Sequence, residues 1–332
     1  MQAVYAAHPS SSDPLSALRH GPQPPPRPPS PDWTVIRVQA AALNHHDLWT
    51  LRGDGLPAHR FPMILGCDAV GTDEDGRQVI VHGLVSDAAW AHDPVRDPGH
   101  TVLSEGYPGT FAEFVAVPRR CLHAYPQEYF TAAEAACLPA TWLTAYRMLF
   151  TKSGLRPGDT VLVQGAGGGM SEALIQLASA TGFRVWATSR SPAEREAARA
   201  LGAETAFPTG APLPAPVDAV MESVGRATWS HSLRALRPGG TVVVTGATTG
   251  ADPPALLNRI SWQELRVLGS TSGSPGELDQ LITFMRHKRL KPTVSLQLPF
   301  DRAIEGFRSM ERGEVTGKVV FHWPNGQDDL PH

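Results

Sequence analysis

The sequence predicts an α/β fold, a doubly wound parallel sheet inserted in a β-rich domain. Three observations predict it. A short run rich in β-branched residues, Val161-Leu-Val-Gln164, stops at a glycine cluster, Gly165-Ala-Gly-Gly-Gly169, and a helix-forming segment follows at once. From Thr160 to Gly269, short apolar runs alternate with helical ones across short connections, as a parallel sheet requires. The first 140 residues and the tail both read as β-rich or mixed structure, heavily punctuated by Gly and Pro, so one domain interrupts the other.

Taken in order, strands are expected over 2–6, 34–41, 78–82 and 110–117. Residues 131–150 read as helical, opened by the capping box Thr131-Ala-Ala-Glu134 and split in two by Pro139. Strands over 161–164, 184–188, 204–207, 219–222, 241–245 and 267–269 then alternate with helices over 172–180, 193–201, 227–236 and 255–262. Helix 276–288 closes this run, and the tail returns to strand 293–298, helix 302–312 and strand 318–322. Within the glycine cluster the backbone can turn sharply and approach a ligand, while the next helix offers unpaired N–H groups to a phosphate. This is the physical setting of a dinucleotide-binding turn. The usual G-x-G-x-x-G pattern is met in part: its last glycine is missing, and Ser171, small enough for close helix–strand packing, stands in that part of the turn.

Composition narrows the function. The chain has 332 residues, 42% hydrophobic and 18% charged, enough for one large or two medium domains with a real core. A net charge of −3 gives no electrostatic case for nucleic acid or an anionic membrane. No apolar run reaches transmembrane length and no basic-then-apolar leader opens the chain, so a cytoplasmic protein is expected. The cysteines, Cys67, Cys121 and Cys137, form no C-x-x-C pair, which argues against a disulfide framework and a thiolate-rich structural zinc site. The proline-rich stretch 23–31 reads as a stiff loop between strands.

Several motifs, in order, carry a family resemblance: Ala42-Leu-Asn-His-His-Asp-Leu48, Ile64-Leu-Gly-Cys-Asp-Ala-Val-Gly71, Gly109-Thr-Phe-Ala-Glu-Phe-Val115, Ala140-Thr-Trp-Leu-Thr-Ala-Tyr146, Arg156-Pro-Gly-Asp-Thr-Val-Leu-Val163, Arg237-Pro-Gly-Gly-Thr-Val242 and Gly317-Lys-Val-Val320. Over nearly the whole chain they resemble the medium-chain dehydrogenase/reductase superfamily of alcohol dehydrogenases and quinone oxidoreductases. The resemblance implies a GroES-like substrate domain, 1–140 plus 285–332, around a Rossmann dinucleotide-binding domain, 141–284, with catalysis in the cleft between them.

By the same resemblance, the three catalytic zinc-ligand positions fall on Asn44, Cys67 and Ala140, with Asp68 where the family carries Glu. Asn is a poor zinc ligand and Ala is none, so no metal is expected. His45 and His46 are adjacent and diverge, which disfavours joint chelation. The resemblance then points to the zinc-free branch, in which hydride passes to a quinone or to the β-carbon of an α,β-unsaturated carbonyl. The alternatives are a zinc-type alcohol dehydrogenase with atypical ligands and an NADPH-binding sensor without turnover.

NADP(H) is the expected cofactor. The second nucleotide strand ends in Ser189-Arg190, where an NAD-specific site would carry an acid; Ser can hydrogen-bond a 2′-phosphate and Arg can pair with it. The resemblance adds Thr144 beside the nicotinamide, Gly167, Gly168, Gly169 and Met170 at the pyrophosphate, Val224, Gly246, Ala247 and Ser270 at later strand ends, and Lys318 and Asn44 near the cofactor. Asn44, His46 and Tyr107 are the candidate catalytic residues: an amide for a carbonyl oxygen, a proton shuttle and an O–H donor. A homodimer is expected because the sheet edge through 241–245 and 267–269 would otherwise be exposed.

Overall fold

Strand Trp33–Ala42 is the spine of the first part of the molecule. It pairs antiparallel with Phe114–Pro118 along its first half, with Ala69–Thr72 across its middle and with Lys318–His322 at its end. The sheet continues through Gln78–Val81 to Leu122–Ala124 on one side, and through the parallel strand Val294–Pro299 on the other. A smaller sheet sets Gln2–Ala6 between Leu18–Pro22 and Met63–Ile64. At the core of this β structure the Phe111 ring meets Phe300, Phe307 and Phe321 with centroids 5.9, 6.1 and 5.2 Å away, all four fully buried. Edge-to-face pairs of this kind add to the large area each ring removes from water.

This computed structural model describes residues 1–323 and forms two units. The first holds Met1–Ala140, Gly273–Arg286 and the chain from Lys291; the second holds Thr141–Ser272 with His287–Leu290. From sequence, the nucleotide segment is expected to run over 141–284; the helix Pro275–Lys288 lies mostly in the first unit.

In the second unit the strands are β1 (Thr160–Val163), β2 (Arg184–Thr188), β3 (Thr205–Phe207), β4 (Val217–Glu222), β5 (Leu236–Val244) and β6 (Arg266–Gly269). They are all parallel, in the order β3-β2-β1-β4-β5-β6. This is the doubly wound Rossmann arrangement, with its crossover point between β1 and β4. Its helices are α1 (Gly169–Thr181), α2 (Pro192–Ala200), α3 (Arg226–Ala235) and α4 (Leu257–Trp262). Because the strands run one way, their carboxyl ends meet at one edge. That edge receives the glycine turn after β1, Ser189 after β2, Val224 after β4, Gly246 after β5 and Ser270 after β6.

Several sequence expectations change. Residues 110–113 are not strand: Gly109, Thr110 and Phe111 donate their N–H groups to Ile64, Gly66 and Leu65, which drops Phe111 into the core, and the strand proper is Phe114–Pro118. The stretch 131–150 begins with the expected box, Thr131 N to Glu134 Oε2 at 2.8 Å and Glu134 N to Thr131 Oγ1 at 3.2 Å. After α-helix Ala132–Ala136 it widens into a π-helical turn, Leu138–Trp142, around Pro139, which has no N–H for the ladder. One α turn, Leu143–Tyr146, and a second π segment, Arg147–Lys152, complete it. Helix His45–Arg52 and strands Leu18–Pro22 and Ala69–Thr72 are additional to the expected elements. The expected sheet edge is also corrected. Strand β5, which carries Thr241, is interior, bonded to β4 and β6; of these two strands β6 alone lies at an edge, with Val267 43% exposed, and β3 forms the opposite edge. Among the described residues no helix is long and apolar enough to cross a membrane.

Phe111→Ala is expected to cost about 3–5 kcal/mol, since the three remaining buried rings cannot close over the void; a urea denaturation midpoint that stays at the wild-type value would contradict this packing.

Candidate active site

The end of strand Trp33–Ala42 delivers Asn44. Leu43 N bonds to Val319 O at 2.9 Å, and the chain then turns into helix His45–Arg52. Asp47 fixes that turn. It is fully buried, and its carboxylate accepts Asn44 N at 2.9 Å and Gly66 N at 2.8 Å. Gly66 has φ +91°, and a Cβ there would lie 2.3 Å from the Phe111 ring, so the position is closed to other residues. Thr110 Oγ1 donates to Asp68 O at 2.8 Å and holds the other side of the same loop.

The side-chain amide of Asn44 is fully engaged. Its Nδ2 donates to Asp68 Oδ2 at 2.9 Å and Ala42 O at 3.2 Å, with Cys67 Sγ at 3.7 Å. Its Oδ1 accepts from Lys318 Nζ at 2.6 Å, and Lys318 also donates to Leu43 O at 2.8 Å. Lys318 is 4% exposed. Both Asn44 amide hydrogens are therefore committed inside the protein, which corrects the expectation that this amide reaches out to a carbonyl oxygen. The resemblance places Asn44 and Lys318 near the cofactor; the structure joins them directly.

Burial sets the titration of this cluster. It pushes Asp47 up to about 7, against the two backbone N–H groups and Lys318 that favour the anion. It pushes Asp68 up to about 6, with Lys318, Asn44 and the Ala140 backbone opposing. The Cys67 thiol is held well above its ordinary value by burial and by the two carboxylates. His46 is pushed by burial down to about 4, so its ring is neutral at pH 7; its Nε2 lies 3.1 Å from Ser104 Oγ and 3.7 Å from Glu105 Oε1. Tyr107 packs its ring 4.6 Å from that of Trp33, against the barrel core, and no polar contact ties it to Asn44, His46 or Lys318 among the described residues. Its expected role as an O–H donor has no structural partner here.

A zinc ion does not fit this donor set. Asn44 turns its amide nitrogen toward Asp68 and Cys67, its oxygen is taken by an ammonium group, Cys67 is held as the thiol, and Ala140 has no ligand atom. Among the described residues no group of three His, Cys, Asp or Glu side chains is arranged for a metal.

The second unit fits a dinucleotide. Gly168 caps the 13-residue helix α1 with no side-chain bond to its first N–H groups, and a Cβ on Gly168 would meet nothing within 4 Å, leaving the helix end open to a phosphate. Gly169 and Met170 form the first turn of α1, and Ser171 Oγ closes on Gly168 O at 2.8 Å. Gly167 has φ +124°. Val224 borders the turn, its Cγ2 2.6 Å from where a Cβ on Gly165 would stand. Gly246 backs onto Ser223 O and Ala247 onto Gly225. Ser270 N bonds to Val244 O at 2.8 Å, while its buried Oγ has no partner. Thr144 is buried on helix Leu143–Tyr146. Glu222 opens the segment Glu222-Ser-Val-Gly225 that ends β4; it is fully buried, accepts Val224 N at 2.8 Å, Gly225 N at 3.0 Å and Thr228 Oγ1 at 2.9 Å, and so shapes this edge.

Comparison with known proteins agrees with both units. Residues 30–127 match the alcohol dehydrogenase GroES-like domain, and residues 169–287 match the zinc-binding dehydrogenase family. The 2-methylene-furan-3-one reductase of Solanum lycopersicum is 30% identical, over 88% of this chain and 72% of its own length. The chain is a medium-chain dehydrogenase/reductase. Another medium-chain relative, the acryloyl-coenzyme A reductase of Sulfurisphaera tokodaii, is 28% identical over 88% of this chain and 92% of its own. A crystal structure described as an NAD-dependent alcohol dehydrogenase superposes with a TM-score of 0.88 at 32% identity, covering 98% of this chain and all of its own. The GroES-like and Rossmann parts of the expected fold are both present, and the protein belongs to a superfamily of oxidoreductases. The zinc in the matched family's name does not carry over to the residues at Asn44, Cys67 and Ala140.

The raised Asp47 carboxyl makes a signed prediction. Its folded-state value of about 7 lies above the ordinary 3.8, so its contribution to stability is complete below pH 4 and is lost as the pH rises through 7. The unfolding free energy of wild type minus that of Asp47→Asn is expected to fall by about 3–4 kcal/mol between acid and mildly alkaline pH. Urea titrations across that range check it, and a pH-independent difference would mean that Asp47 is an ordinary anion.

Proposed function

We propose that this medium-chain protein is a zinc-independent, NADP(H)-dependent reductase that delivers hydride to a quinone or an α,β-unsaturated carbonyl. The observation that carries the reading is that Asn44, at one of the positions the resemblance aligns with a zinc ligand, is bonded to Lys318 and Asp68 instead. Without a Lewis acid, activating an alcohol is hard, whereas an electron-poor alkene or quinone needs orientation, a hydrogen-bond donor and a proton source. Bound NADPH would supply the hydride. Gly167–Met170 and the open end of α1 would hold its pyrophosphate, and Thr144, Val224, Gly246, Ala247 and Ser270 would line its path. In the first unit Lys318 and Asn44 would hold a fixed polar centre that supplies one ammonium charge beside the Asp68 carboxyl. His46, neutral at pH 7 beside Ser104, would relay a proton through its N–H rather than act as a strong acid.

The names of three relatives, the two reductases above and a crotonyl-CoA carboxylase/reductase of Cereibacter sphaeroides, agree in chemistry. Acryloyl-coenzyme A, crotonyl-coenzyme A and 2-methylene-furan-3-one all carry a carbon–carbon double bond conjugated to a carbonyl. The similarity to the NAD-dependent alcohol dehydrogenase supports a second reading, alcohol oxidation with NAD. NADPH oxidation with 1,4-benzoquinone and crotonaldehyde-type enones, with and without a chelator, separates the two. Turnover that survives the chelator and runs faster with NADPH is expected. Turnover only with alcohols and only in the absence of chelator would replace this reading with the second. Tight NADPH binding without turnover on any acceptor would favour a sensor.

We also propose a homodimer built across the exposed edge strand β6. Val267 on that strand, and Leu257 and Trp262 on α4, are 43%, 70% and 85% exposed, an apolar surface that water disfavours. Light scattering is expected to report twice the 35.6 kDa chain mass, and Val267→Lys combined with Trp262→Glu to halve it. A wild-type monomer would contradict the proposal.

A further inference from the structure

The end of β2 holds a carboxylate that the strand sequence does not advertise. Ser189, 3% exposed, stands where an acidic residue reads the adenosine ribose in NAD-specific sheets. Its hydroxyl is already used: Ser189 Oγ donates to Glu194 Oε2 and accepts Ser191 N at 3.0 Å. Glu194 lies in the first turn of α2, with its N–H on the Ser191 cap at 3.3 Å, and its side chain folds back over the strand end. The other carboxylate oxygen faces the glycine turn. A Cβ on Gly167 would lie 2.6 Å from Glu194 Oε1 and 2.5 Å from its Cδ. Glu194 thus spans from the ribose-reading position to the phosphate turn.

The nearby cations leave that charge in place. Arg195 Nη1 is tied to the carbonyls of Ser189 and Arg190 at 2.8 and 3.2 Å, and Arg190 is exposed. Among the described residues no Lys or Arg pairs with Glu194. An anion in this place can accept the two hydroxyls of an unmodified ribose, and it repels a 2′-phosphate.

We propose that Glu194 is the residue that sets the choice between NADH and NADPH, giving NADH a ribose acceptor and opposing the attraction of Arg190 for NADPH, so that the wild-type protein uses both. The proposal rests on the reading of the second unit as a nicotinamide-dinucleotide site. It moves the acid from the strand end to a helix residue five positions later.

The test is Glu194→Gln in the full-length protein, which keeps the shape and a partner for Ser189 while removing the charge. The ratio of kcat/KM for NADPH to that for NADH is expected to rise about tenfold or more, the NADPH value increasing and the NADH value decreasing. In calorimetry 2′,5′-ADP is expected to bind about tenfold tighter to the variant, with 5′-AMP no tighter than before. Glu194→Asp, whose shorter carboxylate withdraws from Gly167, is expected to shift the ratio in the same direction by less, and it serves if the glutamine variant does not fold. A ratio within twofold of wild type in folded variants that still bind both mononucleotides would overturn the role of Glu194 alone. Failure of wild type to bind 5′-AMP, 2′,5′-ADP, NADH and NADPH would overturn the dinucleotide reading and this proposal with it.

Discussion

A buried lysine holds the first unit's polar centre together. Taking an ammonium group out of water costs several kcal/mol unless hydrogen bonds and opposite charge replace the lost hydration. Lys318 recovers that cost from the Leu43 carbonyl, the Asn44 amide oxygen and the field of Asp47 and Asp68. The arrangement works in both directions. Without the lysine two carboxyls would sit in an apolar surround with one cation fewer, and without the carboxyls the lysine would be stranded. A metal ion in such a place offers an open coordination position and a charge of two. A lysine offers one charge, three directed donors and no vacancy, so it orients neighbours instead of polarising a bound alcohol.

The second unit answers a similar problem differently. Its strand ends must bring several backbone turns close together without leaving buried polar groups unpaired. Gln164 does this at β1, accepting Thr188 Oγ1 at 2.6 Å while its amide nitrogen reaches His231 and Ser232, both at 2.9 Å. Glu222 does it at β4 by gathering two backbone N–H groups and the Thr228 hydroxyl onto one carboxylate. Such a network is rigid only when fully satisfied. Here it fixes the edge on which Val224, the glycine turn and Ser189 lie.

The inner sheet was legible because parallel strands covered on both faces carry near-continuous apolar runs, and Val161–Val163, Val185–Ala187 and Ala219–Met221 stand out against polar helices. The residues that fall at the zinc-ligand positions, Asn44 and Ala140 among them, were legible too, since they are plain in the sequence. What escaped was contact at long range. Helix His45–Arg52 is too polar and weakly periodic to announce itself, and it forms because Asp47 caps it and grips Gly66. Nothing in Gly317-Lys-Val-Val320 says that the lysine meets a residue 274 positions earlier. Ser189 could be read as a strand end without an acid, but the return of Glu194 depends on a helical turn whose side-chain direction no spacing rule supplies. The edge was assigned to two strands because adjacency within a sheet is a matter of topology, and both runs look alike in sequence.

The strand that carries Lys318 has a consequence for how the molecule is made. Lys318–His322 closes against Ala40–Ala42, so the spine of the first unit stays one partner short until residues 318–322 have been synthesised. The second unit is drawn almost entirely from one continuous stretch, Thr141–Ser272, and apart from the β1–β4 crossover its neighbouring strands follow one another in sequence. Contacts between distant residues are slow to form, and domains fold as their chain emerges. On the ribosome the nucleotide half can therefore consolidate while Asn44, Asp47 and Asp68 still wait for their counter-charge. The polar centre around Asn44 is completed only by the strand that carries Lys318, and a chain cut short before residue 318 would keep the strands of the second unit without the cation that completes that centre.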